Sequence, residues 1–425
     1  MNIGLLGFGV VGGGVWELCA GREDIRVARV LLRSAKAGLP EDVCTFDVND
    51  ILNDDAIDTV VEVMGGLHPA YEYVTAAMER GKHVVTANKA LVAAYYGELT
   101  ALAAKQGVAL RCTAAVGGGI PWLTNLERVK RLDTVCAVGG IMNGTTNFIM
   151  DAMHRAPVDF PAILKEAQEL GYAEADPSAD IDGDDIRRKL CISANVAFDV
   201  LLDEAAIPTF GIRTVTASDI AAFQHHGFVC KLLARAERAE DGVCAYVEPT
   251  LVAANDLEAA VPANYNLIAY EAERLGRQSF YGQGAGRFPT ASNVVQDCLT
   301  VLGGKRGFYT DRAEGMFSAS AEAHPYYVRT AAPDDFLREH TAETWENGAV
   351  ITGAVDTYEM LSWAAAQRQR DPAALLAPCP AAGRPRRICR RHPINREHQR
   401  GESGEFCRKT VDRHRQRGVY SVCCL

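Results

Sequence analysis

A chain of 425 residues is longer than one small core needs and is expected to divide into two or three domains. With 48% hydrophobic and 23% charged residues it has the make-up of a soluble globular protein, which excludes an intrinsically disordered chain. The formal net charge of −10 argues against a general nucleic-acid or anionic-membrane binder. No apolar run approaches the roughly 18–20 residues that a transmembrane helix needs. The first fifteen residues are apolar but lack a basic n-region and are broken by Gly4, Gly7, Gly9, Gly12, Gly13 and Gly14, so no secretory signal is read there and a cytoplasmic location is expected. Of the 13 cysteines, Cys19, Cys44, Cys112, Cys136, Cys191, Cys230, Cys244 and Cys298 are scattered singly with no CxxC pair, which points to small buried thiols rather than to a disulfide or zinc framework.

In chain order, residues 2–7 read as a short buried strand, and a helix starts at Val10, straight after a glycine turn. Arg26–Leu32, Thr59–Met64 and Lys82–Thr86 are further β-rich runs, while Pro69–Arg80 and Lys89–Lys105 have helical spacing. Strands alternating with helices predict an α/β fold, a Rossmann-type doubly wound parallel sheet. From about residue 135 strand-rich segments such as Val135–Ile141 mix with long helices, so a second, α+β domain is expected over 135–290. The helical run Ala291–Leu302 is expected to return the chain to the first domain, which then comprises 1–134 completed by about 291–305. Residues 306–377 are left as a small C-terminal extension. Beyond 378 the chain carries twelve Lys/Arg against four Asp/Glu without apolar periodicity, and is expected to be a disordered tail rather than a nucleic-acid arm.

The turn Gly7-Phe8-Gly9-Val10-Val11-Gly12 has the G-x-G-x-x-G spacing of a dinucleotide site. The first glycine permits the tight turn, the second lets backbone approach a pyrophosphate, and the third allows close helix packing. It follows a strand and opens a helix whose positive N-terminus suits a diphosphate, and that context gives the motif its weight. About twenty residues on, where NAD-selective folds carry an acid, stands Arg33. An arginine pairs with a 2′-phosphate through charge-assisted hydrogen bonds, so NADP is expected, with NAD as the alternative.

The block Gly171–Lys189 places six carboxylates, Glu174, Asp176, Asp180, Asp182, Asp184 and Asp185, ahead of one lysine. Pro177 and Gly183 mark loop, and Asp182 is suited to cap a helix running into Phe198. Asp185 and Lys189 fall four apart on one face. That spacing fits a surface ion pair; it also fits a proton-transferring lysine, because Lys189 shares its stripe with Ile192 and Val196 and so stands at the edge of the buried face. A divalent-metal reading is disfavoured, since no Asp-x-Asn-x-Asp-Gly loop is present and a lysine would compete with the ion. Lys89 follows the carboxyl end of a strand, where ligands bind in open α/β sheets, and is placed to meet cofactor, substrate or both.

Taken together, Gly7–Gly12, Val84-Val-Thr-Ala-Asn-Lys89, Gly117-Gly-Gly-Ile-Pro121, Gly140-Ile-Met-Asn-Gly-Thr-Thr-Asn147, the Gly171–Lys189 block, Tyr281-Gly-Gln-Gly-Ala-Gly286 and Pro289-Thr-Ala291 resemble the homoserine dehydrogenase family. The ordered set spans residues 1–302. The resemblance implies reversible NAD(P)-linked interconversion of L-homoserine and L-aspartate 4-semialdehyde, on the way to threonine, methionine and isoleucine. It implies that Lys189 transfers the proton, that Glu174, Asp180 and Asp185 hold substrate, and that Lys89 lies at the junction of cofactor and substrate. Gly7, Gly9, Val10, Val11, Gly12, Arg33, Thr86, Lys89 and Gly284 fall on cofactor positions. The second domain is expected to bind substrate and to pair two copies into a homodimer. The family also has a monovalent-cation (sodium) site built from a glutamate and backbone carbonyls. Here Thr113 stands at the glutamate position, while Val116, Gly118 and Ile120 offer carbonyls. Two rival readings are a semialdehyde dehydrogenase that acylates a cysteine, for which no thiol has a neighbouring base motif, and a redox-sensing dinucleotide binder, which leaves the Glu174–Lys189 block unexplained.

Overall fold

The computed structural model describes residues 1–36, 38–305, 307 and 313–379. The N-terminal half alternates short strands with helices: β1 (Asn2–Leu6), α1 (Val10–Cys19), β2 (Arg26–Leu31), β3 (Cys44–Thr45), α2 (Asn49–Leu52), β4 (Thr59–Glu62), α3 (Ala70–Glu79), β5 (His83–Thr86), α4 (Lys89–Gln106) and β6 (Leu110–Arg111). The six strands pair in parallel in the order β3-β2-β1-β4-β5-β6. This is the doubly wound arrangement expected from the alternation, and it explains why Leu5, Leu6, Val60, Val61, Val84 and Val85 are fully buried, since helices cover both faces. The chain leaves β1 for one edge of the sheet and crosses back to β4 for the other. A crevice therefore opens beyond the carboxyl ends of these two strands.

After α5 (Trp122–Val129) the chain runs through β7 (Val135–Ile141), α6 (Gly144–Arg155), α7 (Phe160–Glu169), α8 (Ser178–Ile181), α9 (Asp184–Phe198), β8 (Val200–Leu201), α10 (Ala217–His225), β9 (Phe228–Arg238), β10 (Val243–Ala253), β11 (Tyr265–Ala272) and β12 (Gly276–Gln283), and five of these strands, all but β8, form a second sheet. Its order is β10-β9-β7-β11-β12, antiparallel throughout. Helices α6, α9 and α10 pack on it, and Ile149, Ile186, Leu190, Phe223, Val138 and Val247 share one core. Then α11 (Arg287–Leu302) packs on α1, with Val294, Val295 and Cys298 joining Val15 and Cys19 in the core of the first sheet.

The stretch read as a small extension has a definite fold. Beyond β13 (Ala313–Glu314) and β14 (Ala323–His324) run β15 (Tyr326–Arg329), α12 (Asp335–His340), β16 (Thr341–Thr344), β17 (Val350–Thr352), β18 (Val355–Asp356), α13 (Thr357–Arg370) and β19 (Leu375–Pro378). Four of the strands form an antiparallel sheet in the order β16-β17-β15-β19, which makes the unit a βαββαβ split motif. Strands of three or four residues are too short for periodicity to reveal them. From residue 380 onward the tail expected to be disordered lies outside the described residues.

Polar groups at the ends of aromatic and charged side chains dock this unit. Fully buried Asp219 on α10 accepts from Tyr327 Oη, from Arg329 Nε at 2.7 Å and from Thr216 N at 2.8 Å. Removing the carboxylate leaves a partly buried guanidinium without its counter-charge. Asp219→Ala is therefore expected to cost about 3 kcal/mol, read as a lowered urea midpoint, and to hasten proteolysis within 320–379 before the rest of the chain is cut.

Candidate active site

The site lies where α1, α4, α6 and α9 begin. The Gly7–Gly12 turn follows β1 directly: Gly7 has φ +99°, and Gly7 N donates to Leu31 O at the end of β2. A Cβ on Gly12 would stand 2.3 Å from the Gly7 carbonyl oxygen, so only glycine lets the helix start this close to the strand. Gly9 is the N-cap of α1 and no side chain caps this helix, which leaves the first N–H groups, at Val10, Val11 and Gly12, to a ligand phosphate. The turn thus fits a dinucleotide. Val10 is largely exposed, and Arg33 stands exposed two residues beyond the end of β2.

The next strands contribute a carboxylate that sequence reading passed over. Glu62, the last residue of β4, is fully buried and accepts from Met64 N at 2.8 Å and from Thr86 Oγ1 at 2.6 Å. Burial raises its pKa above the usual range, and the four donors around it hold that rise back. Thr86 is fully buried, its hydroxyl donating to Glu62 and accepting from Asn88 N, so it supports the crevice wall from beneath. Asn88 caps α4 by accepting from Leu91 N and donates to Gly66 O at 2.7 Å, tying the loops after β4 and β5 together. A polar residue ending an apolar strand was the one visible signal for Glu62.

Lys89 is the first residue of α4, and from there its Nζ reaches Asp185 Oδ1 at 2.6 Å. The other oxygen, Asp185 Oδ2, receives Lys189 Nζ and Asn143 Nδ2, both at 2.8 Å. Lys189 Nζ also donates to Met142 O at 2.7 Å. Asn143 Nδ2 reaches Asp180 Oδ1 at 2.7 Å, while its Oδ1 caps α6 by accepting from Thr146 N. One buried carboxylate thus joins the nucleotide-binding half to the second sheet's helices.

Burial alone would raise the Asp185 pKa, but Lys189 and Lys89 together outweigh it and hold the carboxyl well below the ordinary range. Asp185, on its side, is the largest influence raising the Lys89 pKa. Asp180 behaves in the opposite way: burial first, and then repulsion from Asp185, push it up.

Lys89, Asp180, Asp185 and Lys189 therefore come together, whereas Glu174 sits on an exposed loop; Gln168 Nε2 donates to its backbone carbonyl. Asp182 does not cap α9. That place is taken by Gly183 at φ +95°, and Asp182 pairs with Arg213 at 2.6 Å instead. Asn143 and the Met142 carbonyl were missed as functional groups, although an Asn followed three residues later by Thr before an apolar run is a legible helix cap.

Gly284 packs over the Asn266 amide and against Gly118. The Gly118 and Ile120 carbonyls both accept from Asn293 Nδ2, and Thr113, at the expected glutamate position, donates its hydroxyl to Asp297 at 2.8 Å. The scattered cysteines are free thiols, six of the eight buried, and burial pushes Cys191 and Cys230 up to about 12. Such thiols are not acylation nucleophiles.

Residues 7–113 match the homoserine dehydrogenase NAD-binding domain and residues 121–299 match homoserine dehydrogenase. The homoserine dehydrogenase of Bacillus subtilis is 37% identical over 370 residues, which cover 83% of this chain and 84% of that one. That of Synechocystis is 41% identical over 318 residues, 71% of this chain and 73% of its own. A crystal structure of a homoserine dehydrogenase from Thiobacillus denitrificans is similar with a TM-score of 0.77 and 34% identity, covering 87% of this chain and 95% of that one. The chain belongs to the homoserine dehydrogenase family.

As a homoserine dehydrogenase it is an oxidoreductase with a nicotinamide dinucleotide-binding domain, acting in amino-acid biosynthesis on a small-molecule substrate. Among the described residues no helix is long and apolar enough to cross a membrane.

A homoserine dehydrogenase that half-buries Asp180 beside Asp185 holds a charge it would fold more easily without. Because the folded pKa is raised, ionised Asp180 costs stability above that pKa, and the cost disappears as pH falls below the ordinary carboxylate value of 3.8. Asp180→Asn keeps an acceptor for Asn143 and should melt at a higher temperature than the unaltered chain at pH 7, with the gap closing toward pH 3.5 in a series of melts.

Proposed function

We propose that Lys189 is the proton-transferring residue of this homoserine dehydrogenase and that NADP is its preferred cofactor. The observation that carries the first part is the anchoring of Lys189 Nζ: of its three N–H donors, Asp185 Oδ2 and Met142 O take two, which leaves the third for a substrate oxygen. When bound, the cofactor supplies a hydride to the aldehyde carbon of aspartate semialdehyde or takes one from the carbinol carbon of homoserine. In the reducing direction Lys189 gives a proton to the developing alkoxide, and in the oxidising direction it accepts the hydroxyl proton. Asp185 holds the Lys189 ammonium in place through Oδ2, the oxygen that Asn143 also reaches. Lys89 neutralises the carboxylate's other oxygen from the cofactor side and so sets the distance between the two halves of the site.

The substrate's own ammonium group needs an anionic partner. Asp180 meets that need with its Oδ1 anchored on Asn143, whereas Glu174 stays outside the cluster on the exposed loop that Thr145 Oγ1 ties down through Tyr172 O. Gly7, Gly9 and Gly12 receive the diphosphate, with Val10 and Val11 offering backbone N–H groups. Arg33 would receive a 2′-phosphate, and Thr86 and Gly284 would shape the wall on the cofactor side of the crevice. The exposed edge strand β12, which pairs with β11 alone, supports a homodimer in which a second copy extends the sheet. Free thiols throughout the described chain support a reducing, cytoplasmic setting.

The assay is NADPH absorbance with aspartate semialdehyde, and its appearance with homoserine. Lys189→Ala is expected to lower kcat by roughly 10²–10⁴ with intact folding by circular dichroism, and substantial turnover in that variant would remove Lys189 from the role. Arg33→Asp is expected to lower kcat/KM for NADPH about tenfold or more relative to NADH, and an unchanged ratio would refute the cofactor preference.

A further inference from the structure

The loop from Thr113 to Pro121 joins β6 to α5 and passes under α11. Gly118 and Ile120 both turn their carbonyl oxygens toward that helix, where buried Asn293 Nδ2 donates to each, at 3.0 Å to Ile120. One turn further along, Asp297 lies on the same helix face and accepts from Thr113 N and Thr113 Oγ1, both at 2.8 Å, and from Arg111 Nε at 3.3 Å. The loop is pressed in from the other side by Gly284, against which a Cβ on Gly118 would stand 2.5 Å away, while Gly119 N donates to Gln283 O.

A monovalent cation in this loop needs converging carbonyl oxygens and a carboxylate to balance its charge, and the residues present do not fit that need. Two of the three candidate carbonyls already receive the positive end of an amide. The side chain at position 113 is a neutral hydroxyl that donates rather than accepts toward Asp297. Asp297 in turn is matched by the fully buried Arg111. An NH₂ group shared between two carbonyls places positive charge density between them, as an ion does, and it arrives on the protein with no loss of a free ion's entropy.

We propose that Asn293 takes the place of the family's monovalent cation in this chain, clamping the Gly118 and Ile120 carbonyls so that the loop keeps its shape and the enzyme turns over without sodium or potassium. Asn293 is a positioning residue: buried against the loop, it fixes the segment that connects the nucleotide-binding sheet to the second domain. The proposal rests on the family assignment and not on the roles given to Lys189 or Arg33.

The test uses the full chain, exchanged into choline chloride, with NaCl or KCl replacing choline at constant ionic strength. Melting temperature and turnover are both read. The unaltered chain should show no saturable rise in melting temperature and less than a twofold change in kcat/KM. Asn293→Ala should melt several degrees lower, because two buried carbonyls lose their donor. Thr113→Glu/Asn293→Ala, which restores a carboxylate and releases the carbonyls, should gain a saturable rise in melting temperature with NaCl that the unaltered chain lacks. A saturable cation response of the unaltered chain overturns the proposal. So does an Asn293→Ala variant as stable as the parent, and so does a double variant whose melting temperature is flat in NaCl. The unaltered-chain comparison decides the question even where a variant fails to fold.

Discussion

The site depends on a single buried carboxylate shared by two lysines. Asp185 sits in the first turn of α9, where the helix dipole already favours a negative charge. A carboxylate so buried needs counter-charge, and it draws Lys189 from the next turn of its own helix and Lys89 from the start of α4. The first pairing fixes the rotamer of Lys189. The second ties the nucleotide-binding sheet to the helices of the second domain. A surface pair at the same spacing would do neither, since water would screen it and both side chains would remain mobile.

Around this pair a layer of polar groups is tied down by helix caps and strand ends. Asn143 caps α6 with one end of its amide and spans Asp180 and Asp185 with the other. Asn88 caps α4 and so orients Lys89 beside it. Glu62 and Thr86, at neighbouring strand ends, brace the loops that flank the crevice. Asp180 is the member of this group held against its own preference, a part-buried acid kept beside a buried one. Such local cost at a ligand site is what a site for an ammonium group would require, because the incoming cation offsets the repulsion.

Helix α11 gives the molecule its continuity. It closes the core of the first sheet against α1, and the same helix carries Asn293 and Asp297 to the loop that leaves that sheet for the second domain. The beginning and the end of the long excursion through the second sheet are thereby held together. The C-terminal βαββαβ unit is attached differently, through Tyr327 and Arg329 on Asp219 and through Tyr358 Oη on the backbone of β10.

The longer strands and helices of the first half were legible because a parallel sheet buried on both faces demands unbroken apolar runs, and the glycine turn because close approach at Gly12 tolerates no side chain. The pairing of Asp185 with Lys189 was legible for the same local reason, a helix repeat that brings residues four apart together. Strands such as Cys44–Thr45 and Leu110–Arg111 were not, since two residues carry no period. Neither was the choice between Asp182 and Gly183 as the helix start, which Arg213 decided by claiming Asp182 from 31 residues away. The amino-acid order by itself determined the doubly wound sheet, the cofactor turn and the identity of the charged residues, because these follow from short-range periodicity and backbone sterics. Only the tertiary structure decided that Lys89 meets Asp185, that Glu174 stays outside the cluster, and that Asn293 occupies the Gly118 and Ile120 carbonyls. The contacts of Lys89 with Asp185 and of Asn293 with Gly118 join residues 96 (185 − 89) and 175 positions apart, and burial, not spacing, sets which groups must find each other.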